Sequence, residues 1–203
     1  MINIPMMMPS RDGLVRLDTI QTILGWQHLL QNQNINLIIV SGVGGNIPRA
    51  RNACMDAIRD NVDDKIFMGW MDSDMVLPTN EDTIQHLDKM AWTASREKDA
   101  IICCDYRTTM ENGEFQMRRY RTLGDTNEML FPVKTQGVFD EDFTDVGYGG
   151  ASGFGLCFGY FPRDYVFHAD RLGEDINFWN DNPDIRLIRY NDFVPGHAKE
   201  VIL

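Results

Sequence analysis

Basic residues are scarce in this chain. Lysine and arginine total 19 against 30 aspartates and glutamates over 203 residues, a formal charge of −11. Phosphate backbones and anionic membranes are gripped by clustered cations, so non-specific binding to nucleic acid or to a membrane surface is not expected. A phosphorylated ligand remains possible if a divalent cation bridges the two negative partners. Long apolar runs are also missing. None approaches the roughly 18–20 residues of a membrane span, so no transmembrane segment is expected. Cysteine is limited to Cys54, Cys103, Cys104 and Cys157, with no C-x-x-C pair. Buried, reduced thiols in a cytoplasmic protein are expected (host cytoplasm if the chain is viral). Met1 to Ser10 has no basic segment before it and contains Pro5 and Pro9. It reads as a buried first strand and not as a signal peptide. Gly42-Val43-Gly44-Gly45 lacks the Lys-Ser/Thr of a P-loop and reads as a flexible loop.

What is present fits one globular domain. The hydrophobic fraction is 43% and the charged fraction 24%, and the length suits a single unit with its own core. Apolar runs at Ile2 to Met8, Asn36 to Val40, Lys65 to Met71 and Ala100 to Cys104 read as buried strands. Helices are expected between them, at Leu14 to Leu30, Ile47 to Ile58, and from a cap at Asn80 to about Arg96. Strand and helix alternating in this way, with strands apolar on both faces, predict a mostly parallel sheet covered by helices. The second half is more mixed. Glu114 to Thr122 and Met129 to Val138 read as extended ribbon, Gly147 to Gly159 as a glycine-rich turn region, then a short helix from Pro162, a helix after Gly173, and a strand at Ile185 to Tyr190.

In open α/β sheets ligands bind beyond the carboxyl ends of the strands. The polar residues after each strand are therefore the candidates: Ser10-Arg11, Ser41 to Asn52, Asp72-Ser73-Asp74 and Asp105 to Arg107. Asp72 and Asp74 stand out. Two carboxylates two residues apart on extended backbone point the same way. An apolar strand has no structural need to end in two repelling charges. Oxygen ligands of this kind suit Mn²⁺ or Mg²⁺. Arg49 and Arg51 lie near a helix N-terminus, where positive charge opposes the dipole. Bidentate recognition of phosphate would explain them.

Asn46-Ile47-Pro48-Arg49-Ala50-Arg51-Asn52-Ala53, then the strand ending in Asp72-Ser73-Asp74, then Gly153-Phe154-Gly155, Gly173-Glu174-Asp175 and Gly196-His197, together resemble the GT-A-fold glycosyltransferases. The order is similar to compact bacterial and viral members of the family-two-like group, over about Ile2 to His197. The resemblance implies a GT-A (Rossmann-like) α/β fold with a nucleotide-sugar half, about 1–105, and an acceptor half, about 106–203. It implies a nucleoside-diphosphate sugar as donor and a glycan or other hydroxyl acceptor. Asp74 would bind the dication, with Asp72 on the ribose or a metal-bound water and His197 as a third ligand. Arg51 would meet the diphosphate or the base, and Asn52 would orient the loop. Ser10, Arg11, Arg49, Ser73 and Asp105 would line the donor. Asp175 would be the base of an inverting reaction, with Glu174 as substitute or as an acceptor for a sugar hydroxyl. Tyr148 or Trp179 could stack on a sugar ring.

Two other readings compete. A nucleotidyltransferase shares a similar sheet and metal, but usually has a glycine-rich loop with a basic end after the first strand. Here Pro9-Ser10-Arg11-Asp12-Gly13 holds one glycine. A non-enzymatic carbohydrate-binding or virion protein could also keep the fold.

Overall fold

The computed structural model describes residues 2–61, 63–109, 115–118, 137–140, 142–147, 154–168 and 174–197. In chain order the first half is β1 (Ile2–Ser10), α1 (Leu17–Gln31), β2 (Ile35–Val43), α2 (Ile47–Asp56), β3 (Lys65–Met71), β4 (Met75–Val76), α3 (Glu81–Arg96) and β5 (Ala100–Cys104). The second half adds β6 (Tyr106–Thr109), β7 (Phe115–Arg118), β8 (Gly137–Asp140), β9 (Phe143–Gly147), β10 (Leu156–Pro162), α4 (Glu174–Asp181), β11 (Arg186–Tyr190) and β12 (Gly196–His197). No helix among the described residues is long and apolar enough to cross a membrane.

The strand period of two divides the core between the faces of the sheet. In β1, Met6 and Met8 enter one apolar layer and Met7 the other, all fully buried. Ile23, Trp26 and Leu30 of α1 and Leu87 and Met90 of α3 cover the first face. Cys54 and Met55 of α2 and Phe178 and Trp179 of α4 cover the second. The helix starts follow from capping. Asn46 accepts the Arg49 N–H and Asn80 the Thr83 N–H, each satisfying a backbone donor that the helix leaves open. Pro48 sits in the first turn of α2, where its missing N–H costs nothing.

The main sheet has the order β2-β1-β3-β10-β5-β11-β9-β8. It is mixed, which corrects the expectation of a mostly parallel sheet. The pairs β1–β2, β1–β3 and β5–β11 are parallel. The pairs β3–β10, β10–β5, β11–β9 and β9–β8 are antiparallel. Two of the four antiparallel pairs come from β10, which slots between β3 and β5 from the glycine-rich segment, and the other two from β9. Glycine there reads as a turn signal, yet Gly159 serves close packing. A Cβ at Gly159 would stand 2.8 Å from the Ala100 carbonyl oxygen. The helix expected from Pro162 does not occur among the described residues. That proline ends β10, and a turn at Arg163–Asp164 leads into irregular chain.

The topology points to one end of the sheet. Chain progression moves from β1 outward to β2, then back across β1 to β3, so the direction of winding reverses between β1 and β3. Ligand crevices form at such reversals, beyond the carboxyl ends of the strands. At this end β3 runs into Asp72 and β5 into Asp105. A second sheet of order β4-β12-β6-β7 grows from the same ends.

The strand β2 also runs past Val40 to Val43, pairing Ser10 with Val43. Gly42 makes this possible, because it lies directly on α2. A Cβ there would stand 2.1 Å from the Ala50 carbonyl oxygen and 2.7 Å from Cys54 N. Replacing Gly42 with Ala should therefore destabilise the fold by about 3 kcal/mol, as overpacking against backbone does. Urea unfolding checks this; a midpoint equal to wild type would show that α2 shifts freely.

Candidate functional site

The turn after β3 is fixed from three sides. The Met75 N–H donates to the Asp72 carbonyl at 3.0 Å, closing the turn. The Asp72 N–H donates to Gly155 O at 3.0 Å, tying the turn to the start of β10. The Arg16 N–H reaches Ser73 O at 3.4 Å. The buried hydroxyl of Thr19 donates to Met75 O, and that of Thr22 to Leu77 O at 3.2 Å. Helix α1 and the Arg16 before it thus hold the acidic turn and the segment after it through bonds to their main chain. Asp72, Ser73 and Asp74 are each half-buried, so their side chains keep access to solvent.

Arg51 organises the acidic groups. It stands in the second turn of α2, on the buried face, and only 1% of its side chain is exposed. Its Nη2 donates to Asp72 Oδ1 at 3.0 Å. Its Nε lies 3.5 Å from Glu174 Oε1, an ion-pair contact without hydrogen-bond geometry. Trp70, Phe154 and Phe167 wall the guanidinium, with ring centroids 5.2, 5.2 and 5.8 Å from Cζ. Desolvated cation–π contacts of this kind are worth about 2 kcal/mol. Burial pulls the Arg51 pKa down. The charges of Asp72 and Glu174 outweigh it, with Cys157 and Asp175 adding to them, and the pKa ends above its ordinary value. Arg51 is thus permanently charged, and Asp175 lies within range of its field.

This placement corrects one expectation. Arg51 does not face a ligand, because its side chain is enclosed by rings and spent on carboxylates. The reason that two arginines near a helix start call for is internal. Arg49 is exposed, and only its main-chain N–H has a described bond, to Asn46. Asn52 sits beside Arg51 and pins a distant segment. Its amide accepts the Phe167 N–H at 2.7 Å and donates to Phe167 O at 2.8 Å. It holds the segment at Phe167, and with both amide atoms engaged it has little left for a donor.

Other expected residues fall as follows. Ser10 is buried and shapes its own loop. Its hydroxyl has Asp12 Oδ1 and Leu14 O as alternative acceptors, and its oxygen accepts the Gly13 N–H. Arg11 is exposed. Asp105 follows β5 at the site end of the sheet and is half-buried. Glu174 and Asp175 open α4, half-buried, where negative charge suits the helix dipole. The main chain of His197 pairs with Met75, one residue past Asp74, and with Thr108; its side chain lies outside the described set. Tyr148, Gly153 and Gly173 also lie outside the described residues. Trp179 is 2% exposed and packs on Phe154 and Phe178 at 5.8 and 5.3 Å, so it belongs to the core and cannot stack on a sugar.

Sequence reasoning missed Arg16. It precedes α1 and is partly exposed, with a bidentate pair to Asp18 at 3.0 and 3.1 Å. Asp74 adds to the field that raises its pKa, after the hydrogen bond to Asp18 and against burial. The signal available was its position at a helix start after the first strand.

A dication is the group this donor set suits. No group of three or more His, Cys, Asp or Glu placed to hold a metal occurs among the described residues. Magnesium and manganese need only one or two carboxylates when phosphate oxygens and water complete the shell. Asp72 and Asp74, half-buried on one fixed turn, are the carboxylates that would serve.

The buried cysteines give a pH signature. Burial pushes Cys54 up to about 11 from an ordinary 9.0, partly offset by Arg51. Burial likewise raises Cys104 and Cys157. A thiol whose folded pKa lies above its unfolded one stabilises fully below the unfolded value and loses that contribution as pH rises. Urea midpoints should hold steady to about pH 8.5 and fall through pH 11; a flat profile to pH 11 would mean the thiols ionise without unfolding.

No protein-family model matches the chain, and no curated protein sequence matches it.

Proposed function

We propose that the chain is a metal-dependent glycosyltransferase of GT-A type, transferring a sugar from a nucleoside-diphosphate donor to an acceptor hydroxyl. The observation that carries this reading is the meeting of two acidic elements far apart in sequence. Asp72, after β3, and Glu174, at the start of α4, share one guanidinium. The reaction needs these two functions side by side: one to hold the departing diphosphate and one to take a proton from the acceptor. The location supports it too, since the turn of Asp72 to Asp74 lies where the winding of the sheet reverses.

The roles divide as follows. Asp74, with Asp72, would hold Mn²⁺ or Mg²⁺, and His197 would complete the set. The dication would supply Lewis-acid stabilisation to the leaving diphosphate. Arg16, partly exposed and in the field of Asp74, takes the diphosphate-facing role first expected of Arg51. Asp175, in the first turn of α4, would accept the proton of the attacking hydroxyl. Glu174, held by Arg51, would orient the acceptor side. A cytoplasmic location would fit a nucleotide-sugar donor and four buried cysteines that form no disulfide.

The nucleotidyltransferase alternative loses ground at the first loop. A phosphate-binding loop offers free main-chain N–H groups. Here Ser10 Oγ takes the Gly13 N–H and Asp12 takes the Leu14 N–H at 3.0 Å each.

Incubation with a panel of nucleoside-diphosphate sugars and Mn²⁺ should release nucleoside diphosphate. Asp74→Ala and Arg16→Ala should each weaken donor binding at least about tenfold, since each removes a charged contact. Asp175→Asn should cut turnover about 10²-fold or more with donor binding kept, as loss of a general base does. Silence across the panel combined with tight glycan binding would favour a carbohydrate-binding protein instead.

A further inference from the structure

The guanidinium of Arg51 occupies an unusual position. It bonds a carboxylate oxygen of Asp72, one of the groups that would face the dication, from inside the protein. It cannot swing away, because its side chain is 1% exposed and three aromatic rings enclose it. Nor is it fully satisfied. Its Nε and Nη1 are buried and make no hydrogen bond among the described residues. A buried cation short of acceptors holds the carboxylates that it has. Those are Asp72 and Glu174, with Asp175 contributing through its field.

We propose that Arg51 is a resident counter-ion: it keeps the acidic cluster assembled when no dication is bound, and by competing for Asp72 it holds dication affinity down. This rests on the transferase reading and deepens it. In that reaction the dication arrives and departs with the nucleoside diphosphate. Four carboxylates, Asp72, Asp74, Glu174 and Asp175, would repel one another after its departure. A fixed internal cation removes one of those charges at every stage of turnover. It also prevents the dication from binding so tightly that product release stalls. The competition depends on the positive charge itself; the planar fork of arginine adds the span between the two carboxylates.

Manganese titration tests this without any activity measurement. Free Mn²⁺ is followed by its paramagnetic resonance, with and without UDP, for wild type, Arg51→Met, Arg51→Lys and Glu174→Gln. Melting temperatures are recorded alongside. Arg51→Met should melt lower than wild type without metal, bind Mn²⁺ about tenfold tighter, and gain more stability from it, because a competing charge beside the ion is gone. Arg51→Lys, which keeps the charge, should stay close to wild type in Mn²⁺ affinity. Glu174→Gln should bind Mn²⁺ more weakly, since the guanidinium then turns its full charge on Asp72. A folded Arg51→Met protein that binds Mn²⁺ no more tightly than wild type overturns the proposal. If Arg51→Met does not fold, an Arg51→Lys protein with markedly tighter Mn²⁺ binding, or a Glu174→Gln protein with unchanged affinity, overturns it equally. Failure of wild type to bind Mn²⁺ even with UDP removes the transferase reading itself, and the competition with it.

Discussion

One buried charge organises the candidate site of this molecule. Arg51 lies inside a shell of Trp70, Phe154 and Phe167 and extends to Asp72 on one side and Glu174 on the other. A guanidinium in such a place is strongly disfavoured unless paired, and losing one partner of a buried ion pair typically costs about 3–5 kcal/mol. The three partners come from α2, from the turn after β3 and from α4. Their mutual need therefore fixes how the first and last thirds of the chain meet. Asn52, one residue on, adds a second tie by taking both main-chain groups of Phe167. Two neighbours on one helix thus lock the acidic turn and the aromatic wall into one arrangement.

The rest of the fold serves to present that arrangement at a sheet end. Methionines 6, 7 and 8 are buried without regard to shape, since flexible thioethers fill gaps on both faces. Glycines at positions 42 and 159 admit backbone where a side chain would collide. Threonines 19 and 22 hold the segment after Asp74 against α1. Each device is modest. Together they leave Asp72 and Asp74 partly exposed on an immobilised turn at the winding reversal, where an α/β sheet has room for a ligand.

Much of this was legible from residues alone, and the reasons are local. The strands Lys65–Met71 and Ala100–Cys104 are short apolar runs with polar stops, and their limits coincide with expectation. Asn80 announced α3 because an asparagine before a first turn rich in acid has few other uses. The acidic turn was visible because two charges at the end of a buried strand lack a structural motive. What escaped was non-local. Nothing near Arg51 in sequence says that Phe154 and Phe167, more than a hundred residues later, will close over it. The same holds for β10: glycine signals a turn unless a neighbouring strand demands its small size, and that neighbour, β5, lies some fifty residues away. Direct phosphate contact by Arg51 was a fair inference from residue type, and burial overrode it.

The central claim is that the Asp72 turn and the α4 start form one charge-linked site for a nucleoside diphosphate and a dication. A crystal structure of the protein grown with UDP and Mn²⁺ tests it most directly. The account predicts manganese between Asp74 and the diphosphate, with the Arg51 bonds to Asp72 and Glu174 kept. Nucleotide bound at another face of the sheet, or Arg51 drawn out of its aromatic shell to grip the phosphates, would contradict it.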